Sequence, residues 1–312
     1  MDSRKIGSLA VSVVGLGCNN FGRRLDEAAT KNVVDAAIAA GITFLDTADT
    51  YGDALSESFL GTVLQGRRDE VVLATKFGNK GVEQAGGARP EYVRSALEAS
   101  LKRLRMDHVD LYQLHKPDRE VPLADTLGAL AEAVTAGLVR EIGCSNFSTQ
   151  QLEEAEAISR QHGWPRFVSV QNEYSMLRRE PEAGVLATCR RLGVAFLPYF
   201  PLFSGILTGK YRRGLPLPAG TRVTGNEHWE KHLTPGTLDL IEDLVAFAAD
   251  RGRELLDLAF AWLLAEPTVA SVIAGATSAE QVQRNARTAD WSLTTDERAT
   301  VDALLSSYGF DP

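Results

Sequence analysis

Short apolar runs alternate with amphipathic stretches along this chain, and the alternation repeats. Eight runs rich in Val, Ile, Leu and Phe read as strands: 12–16, 43–46, 71–76, 109–114, 139–144, 168–171, 194–199 and 269–274. They lack polar alternation, as strands buried on both faces do. Between them lie stretches of helical period. The clearest covers 90–105, where Val93, Ala96, Leu97, Leu101 and Leu104 fall on one face and Pro90 suits the first turn. Helices over 26–40 and 121–136, and a third ending at Leu192, are each followed by glycine, at Gly41, Gly137 and Gly193, as a left-handed cap requires. Eight strands alternating with helices fit either a closed barrel or a doubly wound sheet.

Two segments break the repeat. Residues 5–12 read as a hairpin around Gly7-Ser8, placed to close the bottom of a barrel. Residues 203–236 form a polar, Gly- and Pro-bearing stretch after the seventh strand, too long for an ordinary turn. Its portion from 207 to 233 is expected to bury little apolar surface alone and to act as a mobile cover.

Polar residues cluster at the strand ends. Asp46 ends the second strand, Lys76 the third and Tyr199 the seventh; His115 follows the fourth, Ser145-Asn146 the fifth, Gln171-Asn172 the end of the sixth, and Gly275 the eighth. In a barrel these ends share one face, where active sites are built. The set suggests an acid with its tuning shell. Tyr51 is a poor acid near neutrality at its usual pKa of about 10. An ammonium at Lys76, held by Asp46, favours its phenolate, and His115 can hydrogen-bond a carbonyl oxygen.

Those residues lie in motifs, Asp46 to Gly52, Ala74-Thr-Lys76-Phe77, Leu114-His115, Gly143-Cys-Ser145-Asn146, Val170-Gln171-Asn172 and the stretch from Pro201-Leu202 to Gly209-Lys210-Tyr211. Together, and in this order, they resemble the aldo-keto reductase superfamily from about residue 15 to 285. Within it, the long loop after strand seven resembles the potassium-channel β-subunit branch and bacterial reductases like it. The resemblance implies a single (β/α)8 (TIM) barrel domain over 1–312, with an N-terminal β-hairpin. It implies NADPH/NADP+ as cofactor and Asp46, Tyr51, Lys76 and His115 as the catalytic tetrad. It further implies Asn146 and Gln171 on the carboxamide with Ser145 beside them, and Tyr199 stacked on the nicotinamide. Pro201, Leu202, Ser204, Gly205, Leu207 and Lys210, with Arg222, fall on the phosphates by the same resemblance. Gly275, Thr277, Gln281, Arg284 and Asn285 fall at the adenosine end. Many relatives carry arginine near 277 or 281; here positive charge falls to Lys210 and Arg284 instead.

Gly15-Leu-Gly17-Cys-Asn-Asn20 is close to a dinucleotide fingerprint, but Asn20 replaces the third glycine and the helix begins late, near Asp26. Gly17, Cys18 and Asn19 are instead expected to form the first barrel loop and touch cofactor by their backbone. Asn20, Phe77, Phe147, Phe200 and Trp229 are expected in the substrate pocket, built from loops at 19–24, 77–88, 116–120 and 203–236.

Composition narrows the partners. The net charge of −8 argues against a general nucleic-acid binder. Cys18, Cys144 and Cys189 show no paired or metal spacing, so no metal is expected and reduced thiols in a cytoplasmic protein are the simplest reading. No uncharged apolar run reaches the roughly 18 residues of a membrane span, and the first seven residues carry no apolar signal core. The expected activity is reduction of an aldehyde or ketone, or its reverse, on a small-molecule substrate. A nucleotide-sensing binding subunit with weak turnover is the alternative, and a lyase or isomerase on the same barrel fits the strand-end amides less well. The oligomeric state is not legible in the sequence.

Overall fold

The computed structural model describes residues 1–79 and 87–312. The strands are β1 Ser3–Ile6, β2 Leu9–Ser12, β3 Val14–Gly17, β4 Phe44–Asp46, β5 Val72–Phe77, β6 Val109–Leu114, β7 Val139–Ser145, β8 Phe167–Glu173, β9 Ala195–Tyr199 and β10 Val272–Gly275. The helices are α1 Glu27–Ala39, α2 Leu55–Val63, α3 Pro90–Leu104, α4 Leu123–Thr135, α5 Thr149–His162, α6 Val185–Leu192, α7 Glu227–Glu230, α8 Pro235–Ala249, α9 Leu255–Leu264, α10 Ala279–Arg287 and α11 Thr295–Ser307.

β3 to β10 pair in parallel in the order β10-β3-β4-β5-β6-β7-β8-β9. The seam closes through Phe196, whose N–H donates to the Thr268 carbonyl at 2.7 Å and whose carbonyl accepts from Ala270 N at 3.0 Å. The result is a (β/α)8 barrel. This closure explains the largest boundary difference from the sequence reading. Residues 269–270 serve the seam, and the paired strand begins only at Val272.

The strand period of two sets what fills the barrel. Phe44, Ala74, Leu111 and Leu197 point inward and form one cluster with Ile273 and with Ile6, Leu9 and Val11 of the antiparallel β1–β2 hairpin. The hairpin therefore plugs the bottom. Two residues further along the same strands come Asp46, Lys76, Gln113 and Tyr199, at the opposite end. Leu45, Leu73, Tyr112 and Phe196, offset by one, face out and join the larger core beneath the helices. Gly143 must stay small: a Cβ there would lie 2.3 Å from Ser169 Oγ and 3.2 Å from Gln113 Cγ inside the barrel.

The expected glycine caps hold left-handed backbone at Gly41, Gly137 and Gly193. The long insertion differs from expectation. It contains a 3-10 segment at Phe203–Thr208 and the short α7. Leu207, Tyr211 and Val223 are fully buried, and Arg212 and Arg213 pair with Glu242 and Asp239 of α8. Three apolar anchors spaced along it give this segment a packed base that its polar composition hides.

Candidate active site

A cavity of about 930 Å³ opens at the C-terminal ends of the strands. It is at the upper end of the roughly 300–1,000 Å³ usual for small-molecule and cofactor sites. At its floor, Asp46 and Lys76 end inward-facing positions of adjacent strands. Lys76 is completely buried, and its ammonium uses all three donors: to Asp46 Oδ2 at 2.6 Å, the Thr47 carbonyl at 2.8 Å and the Tyr51 hydroxyl at 3.3 Å. The other oxygen of Asp46 accepts from Gln113 Nε2 at 3.2 Å and Gln171 Nε2 at 2.9 Å. A buried ion pair is tolerated when its remaining lone pairs are satisfied in this way. The sequence reading missed Gln113, although it sits two residues before His115 on an inward-facing register.

Tyr51 and His115 converge above this pair, with ring centroids 6.0 Å apart, edge to face, and both line the cavity. Burial pushes the Tyr51 phenol above its ordinary pKa, and Lys76 offsets only part of that. Lys76 lowers it as expected, but burial outweighs that pull and the phenol is neutral. For Lys76, burial works against the charge, but Asp46 and Tyr51 outweigh it and hold the ammonium above its ordinary value. Burial, with Lys76 and Lys116 nearby, pushes His115 down to about 3, so its ring is neutral at physiological pH. Its Nδ1 is buried without a partner, leaving Nε2 to face the cavity.

The polar residues at the ends of β7, β8 and β9 bond to one another. Asn146, at φ 62°, donates to the His115 carbonyl and to Ser145 Oγ, both at 3.0 Å, and accepts from Tyr199 OH at 2.8 Å. Ser145 Oγ donates to the Gln171 carbonyl at 2.7 Å. Gln171 gives its amide N–H to Asp46, so an incoming ligand finds it already committed on that side.

The far wall suits a polyanion. Phe200, Phe203, Ser204 and Gly205 hold φ values of 49°, 44°, 57° and 94°. Such a run of left-handed residues, mostly not glycine, is strained and characteristic of functional loops. Ser204 Oγ is buried with no partner, and a Cβ on Gly205 would lie 3.0 Å from Lys210 Nζ. Lys210 is held below its ordinary pKa first by burial, then by Arg222 and Arg24, and Arg222 first by burial, then by Arg24 and Arg23. Among the described residues none of Lys210, Arg222 and Arg24 has a carboxylate partner, although Arg222 does donate to Asn20 Oδ1 at 3.1 Å. Like charges gathered without acids are costly unless an anion joins them.

Most residues expected to contact cofactor line this cavity, from Gly17 and Asn19 round to Gly275, Thr277, Gln281, Arg284 and Asn285. The exceptions are packed behind it. Cys18 is fully buried beneath the loop, its N–H donating to the Asp46 carbonyl at 2.9 Å, and Leu207 is a core anchor. Arg284 is tied to Glu254 at 2.7 Å. Of the expected pocket residues, Asn20 and Phe200 line the cavity. Phe77 and Phe147 instead pack in the core, stacked on Tyr112 at 4.6 Å and edge-on to Phe167 at 5.7 Å, because their strand or loop turns them outward under the helices. Trp229 stands behind Phe200, edge-on at 5.6 Å. The expected pocket loop over 77–88 includes residues 80–86, which lie outside the described residues. Arg24 and Lys116 line the cavity from two of the loops expected to build it, although neither was singled out; Arg253 and Glu254 also line it and were not expected.

Residues 13–306 match the aldo/keto reductase family model. The chain is 33% identical to Protein tas of Escherichia coli, covering 97% of this chain and 96% of that one. It is 36% identical to the uncharacterized oxidoreductase YrpG of Bacillus subtilis, covering 91% and 89%. To the aldo-keto reductase YhdN of the same organism it is 30% identical, covering 97% and 93%. The chain belongs to the aldo/keto reductase family, and it is an oxidoreductase of that type.

Proposed function

We propose that this protein is an NADP(H)-dependent reductase of aldehydes or ketones, running also in reverse. The observation that carries the proposal is the Tyr51 hydroxyl, held at 3.3 Å by a buried ammonium while its ring stands at the open cavity beside a neutral His115. The donor set fits a nicotinamide dinucleotide. Lys210, Arg222 and Ser204 would hold phosphates, and Tyr199, Asn146 and Ser145 would exchange their mutual bonds for the nicotinamide end. When bound, that cofactor supplies or accepts the hydride.

The chain's own residues handle the proton. Because Lys76 donates to the Tyr51 oxygen, the hydroxyl hydrogen remains free to point into the cavity at a carbonyl oxygen. As negative charge develops on that oxygen, Tyr51 gives up its proton and Lys76 stabilises the phenolate left behind. Asp46 keeps Lys76 charged and fixed. His115, being neutral, can donate a hydrogen bond from Nε2 without competing as the acid. Aldehydes and ketones screened with NADPH, followed by loss of the reduced-nicotinamide absorbance, test the reading; cofactor binding with no turnover on any carbonyl would reject it.

A pH profile follows from the two shifts. Reduction needs the Tyr51 phenol, and burial raises that group's pKa. The rate should therefore stay level through neutrality and fall only above the ordinary tyrosine value of about 10. His115 should contribute no inflection near its ordinary value of about 6.5, being pushed down to about 3. Oxidation, which needs phenolate, should rise with pH. An acid limb near 6.5 that vanishes in His115→Gln would show a charged imidazole in the reaction.

Cofactor choice is a separate expectation. A 2′-phosphate would gain charge-assisted hydrogen bonds from Lys210 or Arg222, whereas Arg284 is already engaged by Glu254. NADPH should bind about tenfold tighter than NADH, since such bonds contribute about 1.5 kcal/mol or more. Fluorescence titration of both cofactors gives the ratio, and Lys210→Met should narrow it. Equal affinities in the unaltered protein would remove NADP(H) from the proposal.

A further inference from the structure

One cation on the cavity wall has no task in the chemistry above. Lys116 directly follows His115 after β6, lines the mouth and is exposed. Among the described residues no carboxylate lies within ion-pair distance of it. Of the other lining cations without a carboxylate partner among the described residues, Arg222 and Arg24 act on Lys210, and Arg24 on Arg222, at the phosphate end, while Arg253 donates to the Asp290 carbonyl at 3.4 Å. Lys116 instead acts on His115, at the reacting end. The two acids of the lining are both taken, Asp46 by Lys76 at 2.6 Å and Glu254 by Arg284 at 2.7 Å. Lys76 is thus neutralised by its own partner. Among the described residues lining the reacting end, Lys116 is the cation without a carboxylate partner.

We propose that Lys116 makes this site selective for carbonyl substrates that carry a carboxylate a few atoms from the reacting carbon. This deepens the reductase reading and rests on it. A lone ammonium on a flexible stem matches one singly charged carboxylate; a phosphate dianion is better served by several N–H donors, as at the other end of the cavity. Phe200 lines the same cavity and offers an apolar face to the body between the two groups. The effect falls on substrate capture, so it belongs in KM more than in kcat.

The test uses two aldehydes of the same shape, 4-carboxybenzaldehyde and the neutral 4-formylbenzamide, with NADPH. The unaltered protein, Lys116→Gln and Lys116→Glu are each assayed on both, and cofactor binding is titrated separately. The ratio of kcat/KM, acid over amide, is read within each protein, so any loss common to both substrates cancels. The expected ratio is about fivefold for the unaltered protein, the upper end for an exposed ion pair, and it should shrink with added salt. It should fall to about one in Lys116→Gln and invert in Lys116→Glu. The same ratio in all three proteins, or a preference of the unaltered protein for the amide, overturns the inference while leaving the reductase reading standing. Tight cofactor binding with neither aldehyde reduced, nor any other carbonyl, defeats the reductase reading and takes this inference with it.

Discussion

Tyr51→Phe is expected to lose about 10²–10⁴-fold in carbonyl reduction, the range for removing a general acid, and to bind cofactor almost unchanged. The ring survives the substitution, so its edge contact with His115 and its packing over Lys76, 4.9 Å from the ring centroid, survive too. What disappears is one oxygen. Lys76 loses its weakest and longest partner, at 3.3 Å, and keeps Asp46 and the Thr47 carbonyl. Water can reach the vacated position from the open cavity and restore that bond, which is why folding should be little affected. Water cannot be held in line with a substrate oxygen as the phenol is, so the proton transfer suffers. Steady-state kinetics paired with cofactor titration separate the two effects. Activity within about threefold of the unaltered protein would mean that another group supplies the proton, and the assignment of Tyr51 would fall.

Much of this site was legible because strand geometry is simple. An apolar residue inside the barrel predicts what lies two positions on, and Phe44 to Asp46, Ala74 to Lys76 and Leu197 to Tyr199 obey that period. The same rule, followed one step further, would have found Gln113 from Leu111. Loops carry no such period. Phe147, in the loop after β7, has the composition of a pocket wall yet turns under the helices, whereas Phe77 ends β5 one step from the inward Lys76 and faces out by the same alternation. The insertion after β9 was misread in one respect. Its many Gly and Pro residues suggested little buried apolar surface, while three apolar side chains, Leu207, Tyr211 and Val223, anchor it. The downward pull of Lys76 on Tyr51 was readable from the motif, but the depth of burial that outweighs it was not.

Lys76→Met should lose stability and activity together, and the double variant with Asp46→Asn should recover only the first. Lys76 and Asp46 sit in the barrel interior with side-chain exposures of 0% and 3%. Removing the ammonium leaves a carboxylate held only by the two neutral amides of Gln113 and Gln171. Breaking a buried pair by removing one partner costs about 3–5 kcal/mol, because the remaining charge is stranded rather than because the pair itself was strong. Urea unfolding should show that loss as a lower midpoint with little change in slope. Asparagine at 46 removes the stranded charge and still offers a carbonyl oxygen to Gln113 and Gln171. The double variant should therefore unfold closer to the unaltered protein than Lys76→Met does, a non-additivity expected of residues in contact. Reduction should not return with it. Without Lys76, burial and, in the single variant, the Asp46 carboxylate push Tyr51 up, and no ammonium stabilises the phenolate that proton transfer leaves, so both variants should stay down by about 10²-fold or more. The reverse reaction, which starts from that phenolate, should suffer more than the forward one. A double variant that regains both stability and turnover would show that Lys76 serves only to neutralise Asp46. In that case the ion pair would be a structural element of the barrel, and Tyr51 would act without it.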